Sequence, residues 1–355
     1  GDLTGDGWPD ILVGGSNRLF VNLGNGKFRE ATEFKIEGEF KAEDAANSCG
    51  VAFGDFDNDG KLDILLGHHT KKPWAEPRAL RLFRNLGSSN EKVRFEEVTD
   101  KVGLNKIPMR APHVEMRDFD NDGLLDLYSP IITFKDDKVY PAIWKNLGSV
   151  AKNKLPRFQE TAFVHRPDFP TKDDYNPKLG TTAFYDNLVA SRRIMYFAPG
   201  PSGDFDNDGR LDLFLPSWFA NQPSMLLRNE TKAGHYLDVE VIGSKGVNRM
   251  GIGAVVRAYR PGEGDGPPLR FVASEQIATG YGYSSGQPAL AHLGLGTLET
   301  CDVVVTLPHG KGEVIRRRVK VNQKIQIHSA ETSPDWPPVL NGAKAGTVTL
   351  KTDKF

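Results

Sequence analysis

Cysteine is scarce in this 355-residue chain, which contains only Cys49 and Cys301. Two thiols exclude a disulfide framework as the main source of stability. One bridge between them is possible, but two unrelated small buried residues are the preferred interpretation. The chain begins at Gly1 and has no signal-peptide pattern, so we expect a mature or trimmed product whose export signal, if any, lay upstream.

An excess of charge of either sign is also missing. Lys and Arg total 45 and Asp and Glu total 46, which gives a net charge of -1. A dedicated nucleic-acid binder needs a basic excess to neutralise phosphates, so no nucleic-acid partner is expected. No run of residues approaches the roughly 20 apolar positions of a membrane helix, so no membrane span is expected.

A sustained apolar period of about 3.6 residues is absent as well, which excludes a helical solenoid. The 37 Gly and 23 Pro residues are typical of many short strands joined by turns. The length of 355 residues indicates more than one domain, or one large repeat fold with a second domain.

One nine-residue acidic motif, D-x-(D/T)-x-D-G-x-x-D, occurs four times. We name the copies loops 1 to 4; they occupy residues 2–10, 55–63, 118–126 and 204–212. An apolar run follows each copy, and a second apolar run further on ends in Asn. Each repeat is therefore predicted to contain a strand, the acidic loop, a strand, a variable loop, a strand, a turn and a final strand.

Four short strands per repeat cannot bury both of their faces alone, and radial packing of such sheets gives a β-propeller. We predict an all-β protein in which a propeller of at least four four-stranded blades is followed by a small β domain. The predicted blades lie near residues 1–48, 49–110, 111–165 and 175–232, and the β domain spans residues 233–329. Residues 330–355 are predicted to be a linker and a possible ring-closing strand, because loop 1 has no strand before it and residues 346–355 alternate in polarity.

The acidic motif is typical of a calcium site, because calcium binds six to eight oxygen atoms in flexible geometry. Positions 1, 3, 5 and 9 offer side-chain oxygens, position 7 offers its carbonyl, and Gly at position 6 permits a sharp reversal. About four structural calcium ions are predicted, one for each copy of the motif. The predicted ligands are Asp2, Thr4, Asp6, Trp8 and Asp10; Asp55, Asp57, Asp59, Lys61 and Asp63; Asp118, Asp120, Asp122, Leu124 and Asp126; and Asp204, Asp206, Asp208, Arg210 and Asp212.

Loop 1 is predicted to bind calcium more weakly than the others, because Thr4 offers a neutral oxygen. An Asp-rich turn without metal is the alternative interpretation for a single copy. Four copies favour calcium, since the clustered carboxylates would otherwise repel one another.

The repeat resembles the FG-GAP/VCBS repeat, the calcium-binding propeller blade also found in integrin α-subunit heads, over residues 1–232. The later chain resembles the ASPIC/UnbV domain in Asn248–Arg249 and in the segments GIGA at 251–254, GYGYSSGQPALAHLGLG at 280–296, DVVVTLPHGK at 302–311 and VNQ at 321–323. The combination is similar to bacterial members of the cartilage acidic protein family. This resemblance implies an exported, calcium-loaded protein that is extracellular, on the cell surface or periplasmic, and it supplies no catalytic residue.

Binding or adhesion is the predicted function, with a protein or glycan as the partner. The connections on the face opposite the acidic loops are long and rich in aromatic and cationic residues, as binding surfaces on rigid scaffolds are. The candidate contacts are Trp74, Tyr140, Tyr175, Tyr185, Arg192, Arg193 and Trp218. Ordinary loop packing is the alternative interpretation for most of these aromatic residues individually.

The alternative function is an enzyme or enzyme subunit that acts on extracellular polysaccharide. Signals for an enzyme are weak, because no His lies in a zinc-binding spacing and no nucleophile motif follows a strand. The adjacent His68 and His69 are interpreted as a solvated loop pair, although a pocket joining either to carboxylates would favour the enzyme. The run Arg316–Arg318 is interpreted as a solvated edge strand rather than as a basic strip for an acidic polysaccharide.

Overall fold

The regular structure is built almost entirely from β-strands, as the sequence predicts. A computed structural model describes residues 1–34, 47–69, 80–89, 92–104, 113–135, 138–149, 154–161, 165–167, 194–196, 200–216, 224–262 and 270–331. Within these residues, the strands are accompanied by one 3-10 turn at Ser329–Glu331. None of the described residues forms a helix that is long and apolar enough to cross a membrane.

Loops 1 and 2 belong to two separate antiparallel sheets. The first sheet contains β1 (Ile11–Val13), β2 (Arg18–Asn22) and β3 (Phe28–Glu30), and loop 1 precedes β1. The second is a four-stranded meander of β4 (Asn47–Gly54), β5 (Asp63–His69), β6 (Arg81–Ser89) and β7 (Lys92–Glu97), with loop 2 between β4 and β5. The first sheet therefore has no described counterpart of β4.

Loops 3 and 4 belong to a nine-stranded sheet that joins two further blade-like units. Its strands are β8 (Glu115–Arg117), β9 (Asp126–Lys135), β10 (Lys138–Asn146), β11 (Phe158–Thr161), β12 (His165–Pro167), β13 (Ile194–Tyr196), β14 (Ser202–Gly203), β15 (Asp212–Leu215) and β16 (Met225–Asn229). Strands β8 to β11 form one meander with loop 3 between β8 and β9. Strands β14, β15 and β16 form the other, and β12, which comes earlier in the chain, is its fourth strand.

The apolar cores lie between neighbouring sheets, as radial packing requires. Position 2 of loops 1 and 2 lies in these cores: Leu3 belongs to the same apolar cluster as Ile64 of the next sheet, and Phe56 belongs to the same cluster as Met116 of the sheet after that. Leu3 and Phe56 are 2% and 1% exposed, whereas Phe205 at the same position of loop 4 is 51% exposed. Loops 1 and 2 are therefore each covered by a following blade, and loop 4 presents its apolar position to solvent.

The C-terminal domain is a sandwich of two sheets. Its strands are β17 (His235–Ile242), β18 (Val255–Arg260), β19 (Arg270–Gln276), β20 (Gly280–Tyr281), β21 (Ser285–Gly286), β22 (Ala291–Gly296), β23 (Thr300–Thr306), β24 (Glu313–Lys320) and β25 (Gln323–His328). One sheet has the order β22-β17-β25, with β17 and β25 parallel, and the other has the order β19-β18-β23-β24. Alternate residues such as Val239, Val256 and Val303 are fully buried in the core between them.

The arginine run lies on edge strand β24, as expected, and two of its three charges are paired within the domain. Arg317 donates to Asp302 at 2.7 Å, and Arg316 forms an ion pair with Glu331. The backbone N–H of Arg318, which has a positive φ of 49°, donates to Asp302 at 2.8 Å. These contacts support the edge-strand interpretation over a free basic strip.

Candidate metal centres

Each acidic loop reverses direction through two residues with left-handed backbone. In loop 3 these are Asn121 at position 4 and Gly123 at position 6, with φ of 56° and 92°. The counterparts of Asn121 in loops 2 and 4, Asn58 and Asn207, have φ of 54° and 60°. Asn tolerates this conformation better than other residues with a Cβ. The reversal at position 6 was predicted from the sequence, but the reversal at position 4 was not. The Asn at position 4 of loops 2, 3 and 4 was its signal.

The carboxylates at positions 1 and 9 accept hydrogen bonds from backbone N–H groups within and next to each loop. In loop 2, Asp55 accepts hydrogen bonds from the backbone N–H groups of Asp59 at 2.9 Å and Gly60 at 2.8 Å. Asp63 accepts from the N–H of Asn85 at 2.7 Å. The same bonds recur in loops 3 and 4. The loop is therefore preorganised by its own carboxylates and brings several of them together.

The carboxylate at position 3 is different, because it has buried oxygens without hydrogen-bond partners. The Asp57 side chain is 3% exposed, and its Oδ1 accepts no hydrogen bond. Asp120 Oδ1 is likewise buried without a hydrogen-bond partner. A buried carboxylate oxygen without a partner is costly, so this atom marks where a cation fits.

Three of the four loops bring three carboxylates close enough to share one ion. One oxygen from each member of these groups lies within 4.8 Å of the others: Asp55, Asp57 and Asp63; Asp118, Asp120 and Asp122; Asp204, Asp206 and Asp212. Among the described residues, loop 1 supplies no such group, which follows from Thr4 at position 3.

The electrostatics of the loops disfavour the ionised form of several of these carboxylates. Burial, together with the charges of Asp57 and Asp59, raises the pKa of Asp55 to about 8. Burial raises the pKa of Asp118 well above its ordinary value and that of the less buried Asp212 to about 6. Clustering and desolvation both disfavour the ionised forms, and a bound divalent cation would reverse this balance.

A basic side chain lies beside the position-3 carboxylate in three of the loops. It belongs to the residue immediately before an Asn in the third strand of the repeat, which is Asn85, Asn146 or Asn229. The pairs are Arg84–Asp57, Lys145–Asp120 and Arg228–Asp206. The sequence analysis did not identify these bases, although the position is basic in three of the four repeats.

In the second, third and fourth repeats, the Asn that follows this base connects the blade to the acidic loop before it. Asn146 is fully buried, and its Nδ2 donates to the carbonyl of Phe56 in loop 2 at 2.9 Å and to that of Leu125 at 3.1 Å. Asn85 makes the equivalent bond to Leu3 of loop 1 at 2.8 Å. Asn229 makes the equivalent bond to loop 3. These buried bonds fix the spacing between loops.

The C-terminal domain packs against the face that carries the acidic loops. Asn121 of loop 3 contacts His292, with 2.9 Å between Oδ1 and Nε2, and Asp238 lies 2.8 Å from the other ring nitrogen. Asn58 of loop 2 donates to the carbonyl of Val272 at 3.3 Å. The turn residue His309 donates its N–H to Gly7 of loop 1 at 2.8 Å.

A buried polar cluster ties the hairpin β20–β21 region to the blades of loops 3 and 4. Glu115 of β8 accepts from Gln287 at 2.9 Å, contacts His113 at 2.9 Å and accepts from the Ser202 hydroxyl. Burial alone would raise the pKa of Glu115, but His113 and Arg117 hold it below its ordinary value. Because every member has a partner, this cluster is interpreted as an interdomain contact.

The structure places the other predicted residues as follows. His68 lies in β5 and is 4% exposed, so the expectation of a solvated loop pair is wrong for this residue. Cys49 and Cys301 are both free, and burial raises the pKa of each thiol to about 12. Tyr140 belongs to β10. The possible ring-closing strand at 346–355 lies outside the described residues. So do the candidate contacts Trp74, Tyr175, Tyr185, Arg192, Arg193 and Trp218.

Two family matches agree with this architecture. Residues 2–66 match the family described as FG-GAP-like repeat, and residues 244–334 match ASPIC and UnbV. The chain is 29% identical over 300 residues to "Cartilage acidic protein 1" of Mus musculus and of Homo sapiens, and 28% identical to that of Xenopus tropicalis. Each comparison covers 84% of this chain and 38% of the relative, so the chain spans well under half of the length of these relatives.

Proposed function

Because the chain combines an FG-GAP-like repeat with an ASPIC/UnbV domain and is homologous to cartilage acidic protein 1, we propose that it is a calcium-stabilised binding or adhesion protein. We place it outside the cytoplasm, since the name of these relatives refers to cartilage, a tissue that consists largely of extracellular matrix. Its partner in this proposal is a glycan or another protein.

The acidic loops carry the calcium part of the proposal. The decisive observation is the buried Oδ1 of Asp57, which has no hydrogen-bond partner and belongs to a group of carboxylates with oxygens within 4.8 Å. Hard oxygen ligands in a flexible loop suit calcium. When bound, the ion would supply the positive charge that keeps these carboxylates ionised. The loops would then hold the blades and the C-terminal domain in register.

Metal counting and thermal unfolding test this role. Protein purified without chelator should retain at least three calcium ions, and excess chelator should lower the Tm, because a ligand of the native state stabilises it by about 2.7 kcal/mol at 100 times its Kd. The variant Asp120→Asn should reduce the count by one and lower the Tm in calcium. Asp100→Asn, at an exposed position outside the loops, is the matched control. An unchanged Tm in chelator would overturn the calcium role.

The partner is proposed to bind the face opposite the acidic loops. The C-terminal domain already contacts loops 1, 2 and 3 through His309, Val272 and His292. Long and divergent loops on a rigid scaffold are the usual source of binding specificity, and Trp74 and Trp218 offer flat stacking surfaces for sugars or protein side chains.

A binding screen against glycans and proteins, with and without chelator, should identify the ligand class. The double variant Trp74→Ala/Trp218→Ala should then abolish binding while the Tm stays within a few degrees of the parent. The control Met250→Ala/Ile252→Ala removes two exposed apolar side chains of the C-terminal domain, which are 48% and 39% exposed. Loss of binding only in this control would refute the proposed face.

A further inference from the structure

The acidic loops differ from one another at two positions that change together. Position 3 is Asp in loops 2, 3 and 4, and the residue before the repeated Asn is then basic. In loop 1, position 3 is Thr4, and the residue before Asn22 is Val21. The carboxylate and the base are thus present together in three repeats and absent together in the fourth.

The geometry of loop 2 gives a physical reason for this pairing. Arg84 Nε lies 2.6 Å from Asp57 Oδ2 in an ion pair, although neither oxygen of this carboxylate accepts a hydrogen bond, and Oδ1 has no partner among the described contacts. In loop 3, Lys145 likewise contacts Oδ2 of Asp120, and Oδ1 is without a hydrogen-bond partner. Each base also lies 3.3 Å from Oδ2 of the position-5 carboxylate, Asp59 or Asp122. In both loops the base therefore contacts one oxygen of the position-3 carboxylate and leaves the other for a further ligand.

The other carboxylates of the loop do not need such a base. Asp55 and Asp63 accept backbone N–H groups at both oxygens, whereas the carboxylate of Asp57 has no backbone donor among its described hydrogen bonds. A threonine hydroxyl has a single oxygen, so it can offer that atom to an ion without leaving a second buried oxygen unsatisfied. Val21 can therefore replace the base in the repeat that contains Thr4.

We propose that Arg84, Lys145 and Arg228 are positioning residues for calcium, each holding Oδ2 of the position-3 carboxylate so that Oδ1 binds the ion. Partners that orient a ligand in this way typically change metal affinity by about 10- to 100-fold. The inference rests on the proposed calcium role and adds the residues that determine how strongly the loops bind. It also revises the comparison between loops, because loop 1 lacks the neighbouring positive charge as well as the carboxylate.

Charge repulsion alone predicts the opposite change in calcium affinity when the base is removed, which makes the proposal testable. A guanidinium near a calcium ion repels it, so an Arg84 that acted only as a charge would weaken binding, and its removal would increase affinity. An Arg84 that positions Asp57 would make the same substitution decrease affinity. The direction of the change therefore distinguishes the two roles.

The experiment is a double-mutant cycle at loop 2, read out as calcium bound per chain at buffered free calcium and as Tm in excess chelator. Arg84→Val should weaken one site by about 10-fold or more, and Arg84→Lys, which copies loop 3, should restore most of the affinity. In the Asp57→Thr background, which copies loop 1, adding Arg84→Val should cause no further loss. The control Arg81→Val removes another arginine of β6, which pairs with Glu97 at 2.5 Å, and should leave calcium binding unchanged.

Each outcome has a defined meaning. Tighter or unchanged binding in Arg84→Val, or an equal loss from Arg84→Val in the parent and in the Asp57→Thr background, would overturn the positioning role. Parent protein that binds no calcium would instead refute the proposed function. If Arg84→Val fails to fold, loop 3 provides a second test: Lys145→Val should weaken one site by about 10-fold or more, and it should cause no further loss in the Asp120→Thr background. Tighter or unchanged binding in Lys145→Val would likewise overturn the proposal.

Discussion

The buried asparagines that connect neighbouring blades offer the sharpest test of how this fold is held together. The substitution Asn146→Ala removes three side-chain hydrogen bonds: two donated by Nδ2 to Phe56 and Leu125, and one accepted by Oδ1 from the N–H of Gly148 at 2.9 Å. The backbone N–H of Asn146, which donates to Asp126, is retained. The lost bonds therefore belong to the side chain alone.

The expected magnitude follows from these contacts. Each lost hydrogen bond costs a net of about 1 kcal/mol, and a buried partner left unsatisfied adds to this. Asn146→Ala should therefore destabilise the protein by about 3 kcal/mol. The matched variant is Asn22→Ala, because the half-buried Asn22 donates only to Pro9 of its own repeat at 3.0 Å and accepts from Gly24 at 3.0 Å. Because Asn22 is half-buried, water can satisfy its partners after the substitution, so each of its two lost bonds should cost about 0.5 kcal/mol and both together about 1 kcal/mol.

Urea unfolding in saturating calcium, followed by circular dichroism, measures both variants against the parent. The bond to Phe56 is the one that crosses between blades, so the difference of about 2 kcal/mol reports its contribution together with the greater burial of Asn146. Equal losses in the two variants would refute the idea that this bond stabilises the packing of blades.

Two further predictions concern charge. In excess chelator, stability should fall as pH rises from about 4 to 8, because the raised pKa values of Asp212 and Asp55, about 6 and about 8, make the folded chain bind protons that the unfolded chain has released. With calcium bound, stability should instead rise with pH, since the ion requires ionised carboxylates. Urea titrations at about pH 5 and pH 8, with calcium and with chelator, measure how the free energy of unfolding depends on pH. A metal-free protein that is more stable at the higher pH would contradict this expectation. Separately, Arg117→Met should destabilise by about 3 kcal/mol, because it leaves Glu275 across the domain boundary without the partner of its ion pair; a loss below about 1 kcal/mol in urea unfolding would contradict this.

The repeated units and the acidic turns could be predicted from the sequence alone. The spacing of Asp and Gly within nine residues is local, so it directly specifies a tight turn lined with carboxylates. Alternating apolar runs between these turns specify strands, and the structure has strands after each of the four loops, at Ile11, Asp63, Asp126 and Asp212. The scarcity of cysteine was equally informative, since both thiols are free.

The contacts between these units depend on how the whole chain folds. No local pattern indicates that β12 pairs with β16, that Asn146 reaches the carbonyl of Phe56, or that Asn121 meets His292 of the C-terminal domain. The two asparagine contacts join residues that are 90 and 171 positions apart in the chain, so only folding brings them together. A residue such as Arg84 looks like an ordinary surface cation in the sequence, and its role depends on a carboxylate that the turn of loop 2 places 2.6 Å away.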